Sequence, residues 1–259
     1  MKFLFYLIFA LLLSSCKKEK SFTGNIILKF PKDEKLIFQE YNDDLTHRGT
    51  SLIYIGEIRP NIAVKYYKYI IPPVKIYEDE VQNSKRRKKV EDSIELAKQS
   101  FFRAEKIKIL ETNEVFVDHL NNKNLSILVR EKDTIPLYQQ YYKTNEIKKY
   151  KAFPVIIKNI STKILKIPTY AESVDLWILN DIQFRYVRNS NYIMRGSGSQ
   201  KISYLELKPD EILVYSCPYF KKGEKRKAKI KFGNAESKEF EISVDKNIIR
   251  KMLNEGFLE

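Results

Sequence analysis

Between Phe153 and Val244 the sequence repeats one local pattern: a short run rich in β-branched and aromatic residues, then a break rich in Gly, Pro, Asn, Asp or Lys. The runs are Phe153 to Ile160, Val174 to Leu179, Phe184 to Arg188, Ile202 to Leu207, Ile212 to Cys217, Ala228 to Phe232 and Phe240 to Val244. Short runs of this kind between turn signals read as strands. Seven of them in about a hundred residues imply an antiparallel sandwich. Pro154 stands near the start of the first run, where a missing N–H is tolerable. Val174 to Leu179 is apolar on both faces, which places it centrally. Lys208-Pro209-Asp210 and Gly233-Asn234-Ala235 read as turns, and Gly196-Ser197-Gly198 as a flexible loop. Asp245 would cap a final short helix whose Ile248, Ile249, Met252 and Leu253 share one face.

The part before this is less regular. Ile26 to Phe30, Leu52 to Ile55 and Ile62 to Ile71 are β-rich runs, the last closed by Pro72-Pro73. Val90, Ile94, Ala97, Phe101 and Ala104 step by 4, 3, 4 and 3, the spacing of one helical face. A single long helix is therefore expected over 84–104. Ile107 to Leu110, Val115 to Leu120 and Leu125 to Arg130 return to β, the last two joined by the hairpin-type loop Asn121 to Asn124. The polar segment Lys143 to Lys149 suggests a boundary. The expected fold class is mainly β: an α+β unit over 22–148, then the sandwich with its short helix over 149–259.

The chain opens with a charged Met1-Lys2, then eleven apolar residues, Phe3 to Leu13. A membrane span needs roughly 20. The plan is that of a secretory signal. The residues Leu13-Ser14-Ser15-Cys16 resemble the lipobox of bacterial lipoproteins. That resemblance implies cleavage before Cys16, diacylglycerol on its thiol, and a lipid-anchored mature chain. Residues 1–15 would be the signal peptide and 16–21 the lipidated tether. Two or three acyl chains give stable anchoring where one is marginal. In envelope lipoproteins of this type, Lys17 in place of aspartate implies the outer membrane, with the periplasmic or surface side open.

The pattern Phe153-Pro154-Val155-Ile156-Ile157-Lys158-Asn159-Ile160-Ser161, with the later turn Leu207-Lys208-Pro209-Asp210-Glu211, resembles immunoglobulin-like domains of bacterial envelope proteins. The resemblance implies an immunoglobulin-like sandwich and carries no activity, because such domains mostly bind or space. The Cys–Trp–Cys core of antibody domains is absent, since Trp177 has only Cys217 for company.

With 47 Lys+Arg against 33 Asp+Glu the formal charge is +14. The sharpest cluster is Lys85-Arg86-Arg87-Lys88-Lys89. In an exported chain it argues for anionic headgroups and against nucleic acid, and a solvated helix start is the plainer reading. Lys221 to Lys231 is a second basic stretch, expected at the end of a hairpin. Of 17 tyrosines, Tyr66, Tyr67 and Tyr69 cluster, as do Tyr138, Tyr141 and Tyr142. Exposed, they would form a platform for glycans or partner proteins; tyrosine also simply favours strands.

Catalytic signatures are thin. There is no Gly-x-Ser-x-Gly elbow, P-loop or dinucleotide fingerprint. Asp118 and His119 are consecutive in a strand, so they point to opposite faces. His47 lies in a polar loop with Asn42, Asp43, Asp44 and Thr46, without the spacing that wraps calcium. Cys217 reads as a small buried hydrophobe. Asn124-Leu125-Ser126 and Asn159-Ile160-Ser161 match glycosylation acceptors by chance. No metal or cofactor is expected. The chain is expected to bind or assemble with envelope proteins or glycans rather than catalyse. An envelope hydrolase stays open only because paired carboxylates need no local motif.

Overall fold

The structure is a computed structural model. It describes residues 26–32, 35–39, 47–49, 52–64, 84–89, 92, 107–109, 120–141, 147–168, 174–187, 203–220 and 223–249, of which 47–49, 107–109, 139–141 and 203 are described by their backbone. The strands among them are β1 (Ile27–Lys29), β2 (His47–Gly49), β3 (Leu52–Gly56), β4 (Asn61–Ala63), β5 (Ile107–Ile109), β6 (Leu125–Val129), β7 (Ile135–Tyr141), β8 (Ile147–Asn159), β9 (Leu165–Pro168), β10 (Asp175–Asn180), β11 (Gln183–Tyr186), β12 (Ser203–Leu207), β13 (Ile212–Pro218), β14 (Glu224–Phe232), β15 (Ala235–Glu236) and β16 (Phe240–Val244). The described fold is mainly β and its ladders are antiparallel, apart from β1 with β4 and three isolated bridges.

The main sheet runs β2-β7-β8-β13-β3, with β6 also on β8. β8 is 13 residues long and organises it. β6 and β7 lie end to end along one edge of β8: Leu125 to Val129 pair with Asn159 to Val155, and Ile135 to Gln140 with Ala152 to Ile147. Residues 130–134 bulge between them. The Arg130 N–H donates to the Pro154 carbonyl at 3.0 Å, so this edge of Pro154 faces the bulge. Its missing N–H therefore falls where the neighbouring ladder is already interrupted. Pro154 is deep inside the strand rather than near its start, and the bulge is what makes that tolerable.

The main sheet is buried on both faces. Ala152 to Ile157 and Ile212 to Cys217 are buried without interruption. Val155 and Ile157 of β8 and Leu213 and Tyr215 of β13 join one cluster, which Ile178, Ile230 and Phe232 enter from the second sheet. Ile156, Ile212 and Val214 point the other way, into a cluster with Ile26, Ile62 and Val64 around β1 and β4. Each fully buried Val or Ile contributes about 1.5–3 kcal/mol relative to exposure, so these strands hold the molecule from both sides. The central position expected for Val174 to Leu179 holds within its own sheet, where β10 lies between β11 and β14, but burial on both faces belongs to β8 and β13. β10 alternates: Leu176 and Ile178 are buried, while Asp175, Trp177 and Leu179 are half-buried.

The second sheet is β11-β10-β14, with β15 and β16 sharing the far edge of β14. The expected basic hairpin end at Lys221 to Lys231 is in fact mostly β14, the strand at the centre of this sheet. Gly233 turns β14 into β15 with φ of 59°, in the left-handed region that glycine adopts freely. A three-stranded sheet, β5-β12-β9, completes the ladders.

Pairing does not respect position 148/149. That point falls inside β8, and β3, β5, β6 and β7 all pair with strands that follow it. Helical backbone is described at 84–89 and Asp92; the rest of the helix expected over 84–104 lies outside the described residues. At the C-terminal end, Asp245 Oδ1 accepts from the Asn247 N–H at 2.8 Å and starts a helical turn over 246–249, with Ile248 buried in the core. Met252 and Leu253 lie outside the described residues.

The two motifs of the second resemblance meet in space. Asn159 is fully buried. Its Nδ2 donates to the Leu207 and Lys163 carbonyls at 2.9 and 2.8 Å. Its Oδ1 accepts from the N–H and hydroxyl of Ser161 at 2.9 and 2.8 Å. Across from it, Glu211 Oε2 accepts from the Lys208 N–H at 2.9 Å, and Asp210 holds φ of 62° at the apex of the turn. Lys158 pairs with Asp210 at 2.7 Å. Asn159-Ile160-Ser161 is thus a structural lock, with every polar atom of its amide in use.

Candidate functional site

The outer face of the second sheet gathers aromatic rings and lysines. The register sets Trp177 opposite Tyr186 on β11 and opposite Lys229 on β14, and Asp175 opposite Lys231. Leu176 and Ile178 go inward, so Trp177 goes outward by the period of two. The Trp177 and Tyr186 ring centroids lie 5.9 Å apart. Lys231 Nζ stands 4.2 Å over the Trp177 ring, and Lys229 Nζ stands 4.5 Å over Phe184. Each such contact is worth about 0.5–2 kcal/mol. Both ammonium groups share the carboxylate of Glu236, at 2.8 Å from Lys231 and 3.4 Å from Lys229.

Charge on this face is balanced. The Lys231 ammonium, donating to Glu236, holds that carboxyl below its usual range. Burial pushes the Asp175 carboxyl up, and Lys231 opposes the shift. Two lysines meet two carboxylates, so the face is distinguished by aromatic surface rather than net charge. Trp177 Nε1 is buried and meets no acceptor among the described residues. Rings that are part exposed, with polar groups at their rim, suit a ligand that stacks and hydrogen-bonds.

A second polar cluster closes the bulge. The Tyr219 hydroxyl donates to the carbonyls of Glu131 and, at 3.2 Å, of Asp133. Arg130 pairs with Asp133, and its Nη1 donates to the Ile26 carbonyl at 2.7 Å. Burial, then the carboxylates of Glu131 and Asp133, push the Tyr219 phenol up to about 12. Cys217 beside it is buried, and burial pushes its thiol up, away from the reactive thiolate.

The residues singled out by sequence fare differently. Lys85, Arg87, Lys88 and Lys89 are exposed on the helical segment 84–89, and Arg86 is half-buried. Tyr138 is 8% exposed and belongs to the core around β1 and β4, which removes it from any platform. Tyr141 lies at the end of β7 opposite His47, which starts β2 rather than belonging to a loop. The Tyr141 side chain, Tyr66, Tyr67, Tyr69, Tyr142, Cys16, His119, Asn42 to Thr46 and Gly196 to Gly198 lie outside the described residues. Among the described residues no group of three His, Cys, Asp or Glu could hold a metal, and no helix is long and apolar enough to cross a membrane.

Sequence reasoning missed Trp177, Phe184, Tyr186, Lys229 and Lys231 as a group. They come from three strands and meet only through register. No protein-family model, curated protein or solved structure matches this chain.

Proposed function

We propose that this chain is a bacterial lipoprotein, anchored in the cell envelope through acyl chains on Cys16, that acts by binding or assembly rather than by catalysis. Its second half is read as an immunoglobulin-like sandwich that carries the binding face. The observation behind the function is the Trp177–Tyr186–Phe184 surface on a sheet whose opposite side supplies the core. The lock between Asn159 and the Leu207 to Glu211 turn supports the sandwich reading. The anchor is supported by Leu13-Ser14-Ser15-Cys16, and the outer membrane by Lys17. A near-neutral aromatic face favours a glycan as the ligand over a strongly charged partner.

Trp177 is the only tryptophan in the chain, so its emission reports on this face alone. Titration with soluble peptidoglycan fragments and envelope polysaccharides should give a saturable shift for one class. Tyr186→Ala and Lys229→Ala should weaken that binding in a sedimentation assay. Binding that ignores both substitutions would remove this face as the site. The anchor is tested separately: Cys16→Ala should abolish acyl labelling and move the protein out of the membrane fraction.

A further inference from the structure

Two isoleucines stand in water where the chain enters its described fold. Ile27 is 59% exposed and Ile58 39%. The Ile27 N–H donates to the Pro60 carbonyl at 2.8 Å, and Ile58 lies two residues before Pro60. β1 and β4 pair in parallel, with Ile27 opposite Asn61 and Lys29 opposite Ala63. These four residues are exposed and share the outer face of the two-stranded sheet, while Leu28 and Ile62 turn inward. Arg59 is exposed beside them, with Glu57 the one exposed acid in the same loop. Lys32 and Lys35 follow, but Asp33 and Glu34 between them cancel their charge.

We infer that this face, through Ile27 and Lys29, rests together with Ile58 and Arg59 of the adjoining loop on the bilayer that holds the lipid anchor. The inference depends on the lipoprotein reading for its occupant. Ile26 lies ten positions after Cys16, and ten residues of extended chain reach at most about 35 Å. The Arg130 guanidinium on the Ile26 carbonyl fixes the point at which that tether joins the fold. Of the described surface, this face is the part nearest the anchor along the chain. Its chemistry is that of an interfacial contact: large apolar side chains for the acyl boundary and cations for anionic headgroups. Ile37, which bridges Tyr150 of β8, and the loop residues Ile160, Ile164 and Ile182 are exposed too, with no pairing to β1 or β4.

The test uses the mature chain with Cys16→Ser, which carries no acyl group, and vesicles of equal parts phosphatidylethanolamine and phosphatidylglycerol, with phosphatidylcholine vesicles as the comparison. The chain should co-sediment with the anionic vesicles in preference to the neutral ones. Each basic side chain near an anionic surface is worth about fivefold in partitioning, so Lys29→Glu with Arg59→Glu should lower it by about thirtyfold or more. Ile27→Ser with Ile58→Ser should lower it further at fixed charge. Lys238→Glu, on the second sheet's far loop, should change little, and all variants should keep the parent's circular dichroism. No preference for anionic vesicles, or binding that survives both double substitutions, would overturn the inference. Binding abolished by reversing Lys85 and Lys88 alone would move the contact to that helix. Because no acyl chain is present, failure here leaves the anchor reading intact, and failure of Cys16 acylation in cells leaves this result intact.

Discussion

Asn159 shows how much one buried amide can hold. Its side chain satisfies two carbonyls, one N–H and one hydroxyl. Replacing it with alanine leaves several buried groups unpaired, at about 1–3 kcal/mol each before water or relaxation helps. Asn159→Ala should cost about 2–4 kcal/mol by urea unfolding. Asn159→Asp should cost more at neutral pH, because a carboxylate cannot donate to the Leu207 and Lys163 carbonyls. An unchanged midpoint in both would mean the turn is held without this side chain. Tyr219 gives a pH dependence of definite sign. Its phenol rises from 10.0 to about 12 in the fold, with burial as the first cause. Between those values the folded chain keeps a proton that the unfolded chain has lost. Stability from this group is therefore complete below pH 10.0 and is lost as pH rises toward about 12. Tyr219→Phe should flatten the alkaline fall in unfolding free energy relative to the parent. Parallel curves for the two proteins would reject the assignment.

At the scale of elements, Gly223 lets β14 begin beside the end of β16. A Cβ there would overlap the Val244 carbonyl and stand 2.8 Å from Asp245 Cα. Backbone on both sides cannot yield as a flexible side chain would. Gly223→Ala should cost about 1–3 kcal/mol, read as a lower melting temperature. Seven of the nine strands from β8 onward were legible as β-branched runs bounded by turn residues, whereas β9 was not read as a strand and Ala235, which starts the two-residue β15, was read as part of a turn. β13 and β16 match the expected runs closely, whereas β8 begins six residues earlier than Phe153. The early start is imposed by β7, whose ladder continues to Ile147. β7 itself was hidden by Pro136 and two glutamines. The aromatic face was hidden for a related reason: Trp177 and Leu179 are apolar, so the alternation of β10 reads as a strand buried on both sides. Only register, which sequence does not carry, shows that they face outward.

The whole molecule turns on where its central sheet gets its strands. β8 and β13 follow position 148 for most of their length, while β3, β6 and β7 precede it. Those three cover both edges of the β8–β13 pair, with β3 on β13 and β6 and β7 on β8. Leu52, Ile55 and Leu125 from them enter the core shared with the second sheet, and Ile135 and Leu137 enter the other. A fragment of residues 149–259 would keep the second sheet but leave β8 and β13 with two bare edges and one uncovered face. Unpaired edges and exposed Ile156, Ile212 and Val214 favour aggregation over a folded domain. The fragment should therefore be insoluble, or bind a hydrophobic dye with no near-ultraviolet signal from Trp177. Adding back residues 16–148 in trans should restore that signal if the strands alone are missing. A soluble fragment with sharp, dispersed amide resonances would instead show that the second half folds by itself, and that β3, β6 and β7 merely dock on it.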